Sequence, residues 1–66
     1  NSVLFRGVKI GKGAIVRNCV LMQDTVVEEG VVLENVICDK DVVITKEKKL
    51  IGDENLPVFV EKAARV

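Results

Sequence analysis

Over residues 1–44 the apolar positions alternate with polar ones in very short runs, and Gly, Asn and Asp separate the runs. Alternation over a few residues places every second side chain on the same face of an extended strand. The apolar residues are mostly Val, Ile and Leu, with Val the most frequent. β-branched side chains favour a pleated, half-buried surface. Ala, a strong helix former, is scarce before position 63. The pattern predicts an all-β fold built from short extended segments.

The segments repeat. Asn1-Ser2-Val3-Leu4-Phe5 returns as Asn18-Cys19-Val20-Leu21-Met22 and again as Asn35-Val36-Ile37-Cys38-Asp39, seventeen residues apart each time. Three series of turn-prone residues divide each copy: Gly7, Asp24 and Asp41; Gly13 and Gly30; Asn1, Asn18 and Asn35. Gly, Asn and Asp enter the positive-φ region most readily. Three extended sides joined by such corners describe a triangular solenoid whose coils stack in parallel. Two and a half coils fit into residues 1–44.

Alternation then assigns faces. Ile10, Val27 and Ile44 form one inward column, Val16 and Leu33 a second, and Leu4, Leu21 and Cys38 a third. Smaller inward positions hold Val8, Thr25 and Val42, then Ala14 and Val31, then Ser2, Cys19 and Val36. A narrow interior lined by small and β-branched residues needs no aromatic ring, which accounts for two Phe and no Trp or Tyr. Outward, Val3, Val20 and Ile37 make an apolar column with Phe5 and Met22 beside it, and Ile15 and Val32 make another. Such ridges mark contacts, here with another domain or a neighbouring subunit.

The repeat is expected to end at Ile44. Thr45-Lys46-Glu47-Lys48-Lys49 reads as a polar, solvated loop, Asp53-Glu54-Asn55 as a turn, and Val58-Phe59-Val60 as an extended segment covering the lower end of the solenoid. The organisation expected is thus coils over 1–44 and a polar loop with a capping strand over 45–66. The first coil has nothing stacked above it, so its upper edge should be adhesive.

Composition narrows function. The chain has no His and two Cys, which excludes a Ser-His-Asp triad, a Cys-His pair, a His-ligated metal and a four-thiolate zinc site. Ten basic and ten acidic residues cancel, which with the shortage of aromatics argues against nucleic acid. No apolar run is long enough to span a membrane. Cys19 and Cys38 are out of register by two residues, so their Cα atoms should lie roughly 8 Å apart on adjacent strands, beyond the ~7 Å a disulfide allows. Buried reduced thiols fit a cytoplasmic protein.

The zero net charge conceals a division. Residues 1–27 carry Arg6, Lys9, Lys12 and Arg17 against one acid, whereas residues 28–44 carry five acids and one base. The first group is a candidate anion site or interdomain contact. Gly7-Val8-Lys9-Ile10-Gly11-Lys12-Gly13 is not a phosphate loop, because it has three residues before the Gly-Lys pair where four are needed and Gly where Ser or Thr should follow.

Ile10-Gly11-Lys12-Gly13-Ala14 fits the hexapeptide pattern well, and Val27-Glu28-Glu29-Gly30-Val31 fits it loosely. This resembles the left-handed parallel β-helix of hexapeptide-repeat proteins. The run from Asn1 to Ala14, then Asn18 to Gln23, with Leu50-Ile51-Gly52, Pro57-Val58-Phe59-Val60 and Lys62, resembles the C-terminal β-helix of the glucose-1-phosphate adenylyltransferase family, most closely its regulatory, glycogen-biosynthesis subunit type. The resemblance implies a parent that joins ATP and glucose 1-phosphate through an N-terminal domain absent from these residues. It implies assembly and allosteric regulation here, with no catalytic residue, cofactor or metal in residues 1–66. The implied partners are that N-terminal domain, neighbouring subunits and a sugar-phosphate effector near Arg6, Lys9, Lys12 and Arg17. Two alternatives stay open, a hexapeptide-repeat acyltransferase and the tail of another sugar-phosphate nucleotidyltransferase. The first usually needs a His base, which is missing.

Overall fold

The computed structural model of the chain describes residues 2–66. Ten strands of two or three residues follow one another: β1 (Val3–Leu4), β2 (Lys9–Ile10), β3 (Ile15–Arg17), β4 (Val20–Leu21), β5 (Val26–Val27), β6 (Val32–Glu34), β7 (Val36–Cys38), β8 (Val43–Ile44), β9 (Lys49–Ile51) and β10 (Val58–Val60). Consecutive strands lie in different sheets. One sheet has the order β1-β4-β7-β10, a second β2-β5-β8, and a third β3-β6-β9. All pairs are parallel, and the register is seventeen residues in six of them: Val3 lies beside Val20, Ile10 beside Val27, Leu33 beside Leu50. The chain is a left-handed parallel β-helix of triangular section.

Backbone conformation makes the corners. Gly7, Asp24 and Asp41 have φ of 79°, 61° and 58°, and Gly13 and Gly30 have 74° and 70°. Asn18 and Asn35 have 50° and 54°, while the expected corner at Asn1 lies outside the described residues. Each left-handed residue turns the chain about one side of the triangle, and Asn and Asp tolerate this region because their short polar side chains bond locally. At the third corner the Asn35 side-chain amide donates to the Gly52 carbonyl at 3.1 Å.

Burial follows the inward columns from the second coil downward. Leu21, Val27, Leu33, Cys38 and Ile44 are fully or almost fully buried, as are Cys19, Val31, Val36 and Val42. Thr25 is the single buried polar side chain among the described residues, and its hydroxyl donates to the Asp39 carbonyl at 3.0 Å. The first-coil members differ: Leu4 is 51% and Ile10 41% exposed. They stand in the inward columns, but no coil lies above them to complete their burial.

The coils also continue past Ile44. Residues 49–51 form β9 directly below β6, so Lys49 is part of a strand and not of a loop, and Leu50 extends the Val16–Leu33 column. The break expected there is absent because Leu50 continues the large inward column, while Lys49 faces outward under Val32 and Lys48, in the column of Ala14 and Val31, stays exposed in this last layer. Glu47 takes the corner that Gly13 and Gly30 hold above it, with φ 58°. Below β7, Val58–Val60 pair with Val36–Cys38. Here the offset is twenty-two residues, because 53–57 are inserted at the corner between β9 and β10. Ala63, with φ 61°, resumes the corner series of Gly7, Asp24 and Asp41, and Val66 bonds back to Val43 and Thr45.

Candidate interaction surface

No cavity opens among the described residues, and no three Cys, Asp or Glu side chains converge on a metal-sized point. The candidate site is therefore a surface. Strand pairing places Val3, Val20, Ile37 and Phe59 one above another on the outer face of the four-stranded sheet. Phe5 and Met22 stand beside this ridge in the next column. The ridge is exposed at both ends, Val3 at 56% and Phe59 at 58%, and half-buried in the middle. Ile15 and Val32 form the other expected pair, but the column continues into Lys49 and so stays apolar over two coils only.

Two exposed apolar residues at the lower end escaped the sequence reading. Ile51 is 56% and Leu56 78% exposed, flanking the corner that carries the insertion. The insertion is a defined turn: the amide of Asp53 donates to the Leu56 carbonyl and that of Leu56 to the Asp53 carbonyl, at 3.2 and 3.0 Å, and the Asn55 amide donates to Asp53 Oδ1. Gly52 fixes its start, since a Cβ there would sit 2.6 Å from the Asn35 carbonyl oxygen and 2.7 Å from the Val58 nitrogen. The signal in the sequence was the return of a Val-led apolar triplet, Val36-Ile37-Cys38 and then Val58-Phe59-Val60, at a spacing of twenty-two.

The four cations of the first coil do not converge. Arg6 precedes the first corner, Lys9 lies in β2, Lys12 precedes the second corner, and Arg17 ends β3 before the third. They ring the coil on all its sides. Acids lie below two of them: Arg17 lies beside Glu34 in the β3–β6 pairing, and the Gly30 amide donates to the Lys12 carbonyl, which stacks Glu29 under Lys12. Lys46 follows under Glu29, since the Glu47 amide donates to the Glu29 carbonyl. Residues of opposite charge follow one another from layer to layer at these two positions. The basic and acidic blocks of the sequence are thus adjoining layers of one stack.

Cys19 and Cys38 are free and buried, Cys19 just before β4 and Cys38 at the end of β7 one coil below. The Cys19 thiol donates to the Arg17 carbonyl at 3.1 Å. Burial, with a smaller contribution from the neighbouring Cys19, pushes the Cys38 thiol up to about 11. A thiol held protonated is a poor nucleophile, so Cys38 serves packing.

A family model described as "GlmU-like, C-terminal hexapeptide" matches residues 1–56. Two curated relatives are glucose-1-phosphate adenylyltransferases of Clostridium perfringens, from strain SM101 / Type A and strain 13 / Type A. Each is 51% identical over 55 residues, which is 83% of this chain and 14% of the relative. The chain therefore spans a small part of the curated relatives it matches. No solved structure gives a significant match.

Proposed function

The chain belongs to the GlmU-like C-terminal hexapeptide family, and from that premise we propose that it is the C-terminal assembly and regulatory part of a glucose-1-phosphate adenylyltransferase. The whole protein would join ATP and glucose 1-phosphate to give ADP-glucose and diphosphate, in the cytoplasm, as a step of glycogen biosynthesis. The observation that carries this reading is the 51% identity to the two adenylyltransferases over 55 residues. The residues present support this reading: the sequence has no His to act as a general base, and burial holds the Cys38 thiol protonated.

In this reading the Val3–Val20–Ile37–Phe59 ridge, with Phe5 and Met22, packs on the N-terminal domain or a neighbouring subunit. Arg6, Lys9, Lys12 and Arg17, spread around the coil, suit an anionic surface or effector presented by a neighbouring domain better than a pocket of their own.

The test is enzymatic. Full-length protein given ATP and glucose 1-phosphate should form ADP-glucose, or should change the rate at which a catalytic subunit does so. A full-length protein that does neither overturns the assignment. Sugar-phosphate titration of Arg6→Ala and Arg17→Ala variants tests the effector part, which fails if activation is unchanged.

A further inference from the structure

In repeat folds, residues added to a coil project from one face, and that face often does the binding. Among the described residues the seventeen-residue register breaks once, at 53–57, on the corner between β9 and β10. The added residues form a rigid turn. Asp53 and Leu56 exchange both backbone bonds as an antiparallel bridge, and the Asn55 amide donates to Asp53 Oδ1. On one side Gly52 is wedged between the Asn35 carbonyl and the Val58 nitrogen, and on the other Pro57 fixes its own φ. Leu56 is nevertheless 78% exposed and Ile51 beside the turn 56%. A turn held this way cannot fold back over its neighbours, so its apolar side chain is displayed in a fixed position. Such preorganisation lowers the cost of binding.

The turn adjoins the outer face of the β3-β6-β9 sheet. Alternation points Ile15 and Arg17, Val32 and Glu34, and Lys49 and Ile51 outward on that face. Ile15 is 43% exposed and stands over Val32, on a different sheet from the Val3–Phe59 ridge. Charge relates the two surfaces. The turn carries Asp53 and Glu54 and no base, whereas the sheet face carries Arg17 and Lys49 against Glu34. Arg17 already has Glu34 below it, but Lys49 lies under Val32. One chain thus holds an acidic turn with an apolar tip and, next to it, an apolar pair with a cation below.

We propose that this corner is a self-association surface: two copies of the chain meet about a two-fold axis, Leu56 of each packing on the Ile15–Val32 pair of the other, with Glu54 of each beside the other's Lys49. A second copy is the occupant because each chain carries both complementary halves, and a two-fold axis satisfies both at once. The rigid turn prevents the halves of one chain from satisfying each other. The surface is separate from the ridge of the four-stranded sheet and does not depend on adenylyltransferase activity, so its test is independent of the enzymatic one.

Cross-linking of the purified full-length protein decides it, with the photoreactive amino acid benzoylphenylalanine in place of Leu56. Irradiation should give a product of twice the subunit mass, in which position 56 is joined to the peptide carrying Ile15 or Val32. Glu54→Lys and Lys49→Glu, each placed in the photoreactive chain, should lower that product at least ~5-fold, because like charges then face each other in both halves of the contact. Co-expression of the two variants should restore most of it, because every contact between unlike copies again pairs opposite charges. Both substitutions are at exposed positions, so the β-sheet signal in circular dichroism should be unchanged. A link confined to one subunit mass, a link to any other part of the second copy, or no link overturns the proposal. So do single variants that cross-link as well as the parent, or a co-expressed pair that links no better than either variant alone.

Discussion

Leu4 and Leu21 occupy the same inward column one coil apart, yet Leu4 is 51% exposed and Leu21 not at all. Identical residues in identical registers differ only in whether a coil lies above. Leu21→Ala removes atoms closed in on every side and should cost about 2–5 kcal/mol. Leu4→Ala in the 66-residue chain should cost under about 1 kcal/mol, since much of its surface is already wet. Urea unfolding of the two variants measures the difference, and equal losses would contradict the layered account.

Two glycines separate conformational from steric causes. Gly13 has φ 74° with nothing within 4 Å of a Cβ position, whereas Gly11 would place a Cβ 2.7 Å from the Glu28 carbonyl carbon and the Glu29 nitrogen. Gly13→Ala should cost about 1–2 kcal/mol through the left-handed backbone alone. Gly11→Ala should cost more, because neighbouring backbone must shift. Conversely, Ala63 holds φ 61° with no side chain able to bond locally, so Ala63→Gly should stabilise by up to about 1 kcal/mol. Thermal denaturation of the three variants should rank them Gly11→Ala, Gly13→Ala, Ala63→Gly in rising stability.

That ranking bears on how much of the fold was legible. Corners written in Gly, Asn or Asp, at 7, 13, 18, 24, 30, 35 and 41, were readable because those residues announce positive φ. Corners at Glu47 and Ala63 were not, since neither residue type favours that region and stacking on the coil above imposes it. The third coil therefore read as ending at Ile44, although Leu50 continued its inward column. Val58-Phe59-Val60 was legible as an extended segment over the lower end, but the five-residue insertion moved it out of the seventeen-residue register and hid its pairing with β7. Outward columns were legible as alternation. Whether cations at 6, 9, 12 and 17 meet at one point was not, because that depends on which side of the triangle each occupies.

The Arg17–Glu34 pairing across β3 and β6 predicts a charge cycle. Arg17→Glu should destabilise by about 0.5 kcal/mol at low salt, and the exchange Arg17→Glu with Glu34→Arg should recover most of it. The loss should shrink as salt rises. A double exchange no more stable than the single variant would show that the two side chains do not interact.

Cys38 gives the fold a dependence on alkaline pH. Its thiol is raised from 9.0 to about 11 by burial, with Cys19 adding to it. The unfolded chain therefore ionises this thiol first, and the folded state binds one more proton between the two values. The stability tied to the neutral thiol is whole below about pH 9 and is lost as pH rises toward 11, at up to about 1.4 kcal/mol per pH unit. Cys38→Val should flatten the stability profile over that window. An unchanged slope would show that other groups carry it.

The central claim is that residues 1–66 serve assembly through the outer ridge of the four-stranded sheet. Sedimentation velocity of the full-length protein with Val20→Asp and Ile37→Asp tests it most directly. Both side chains sit mid-ridge and half-buried, so the coils should still form while the ridge becomes charged. The account predicts a smaller sedimenting species, or a loosened and more extended one, with the β-sheet signal in circular dichroism retained. A full-length variant with unchanged sedimentation and shape would contradict it.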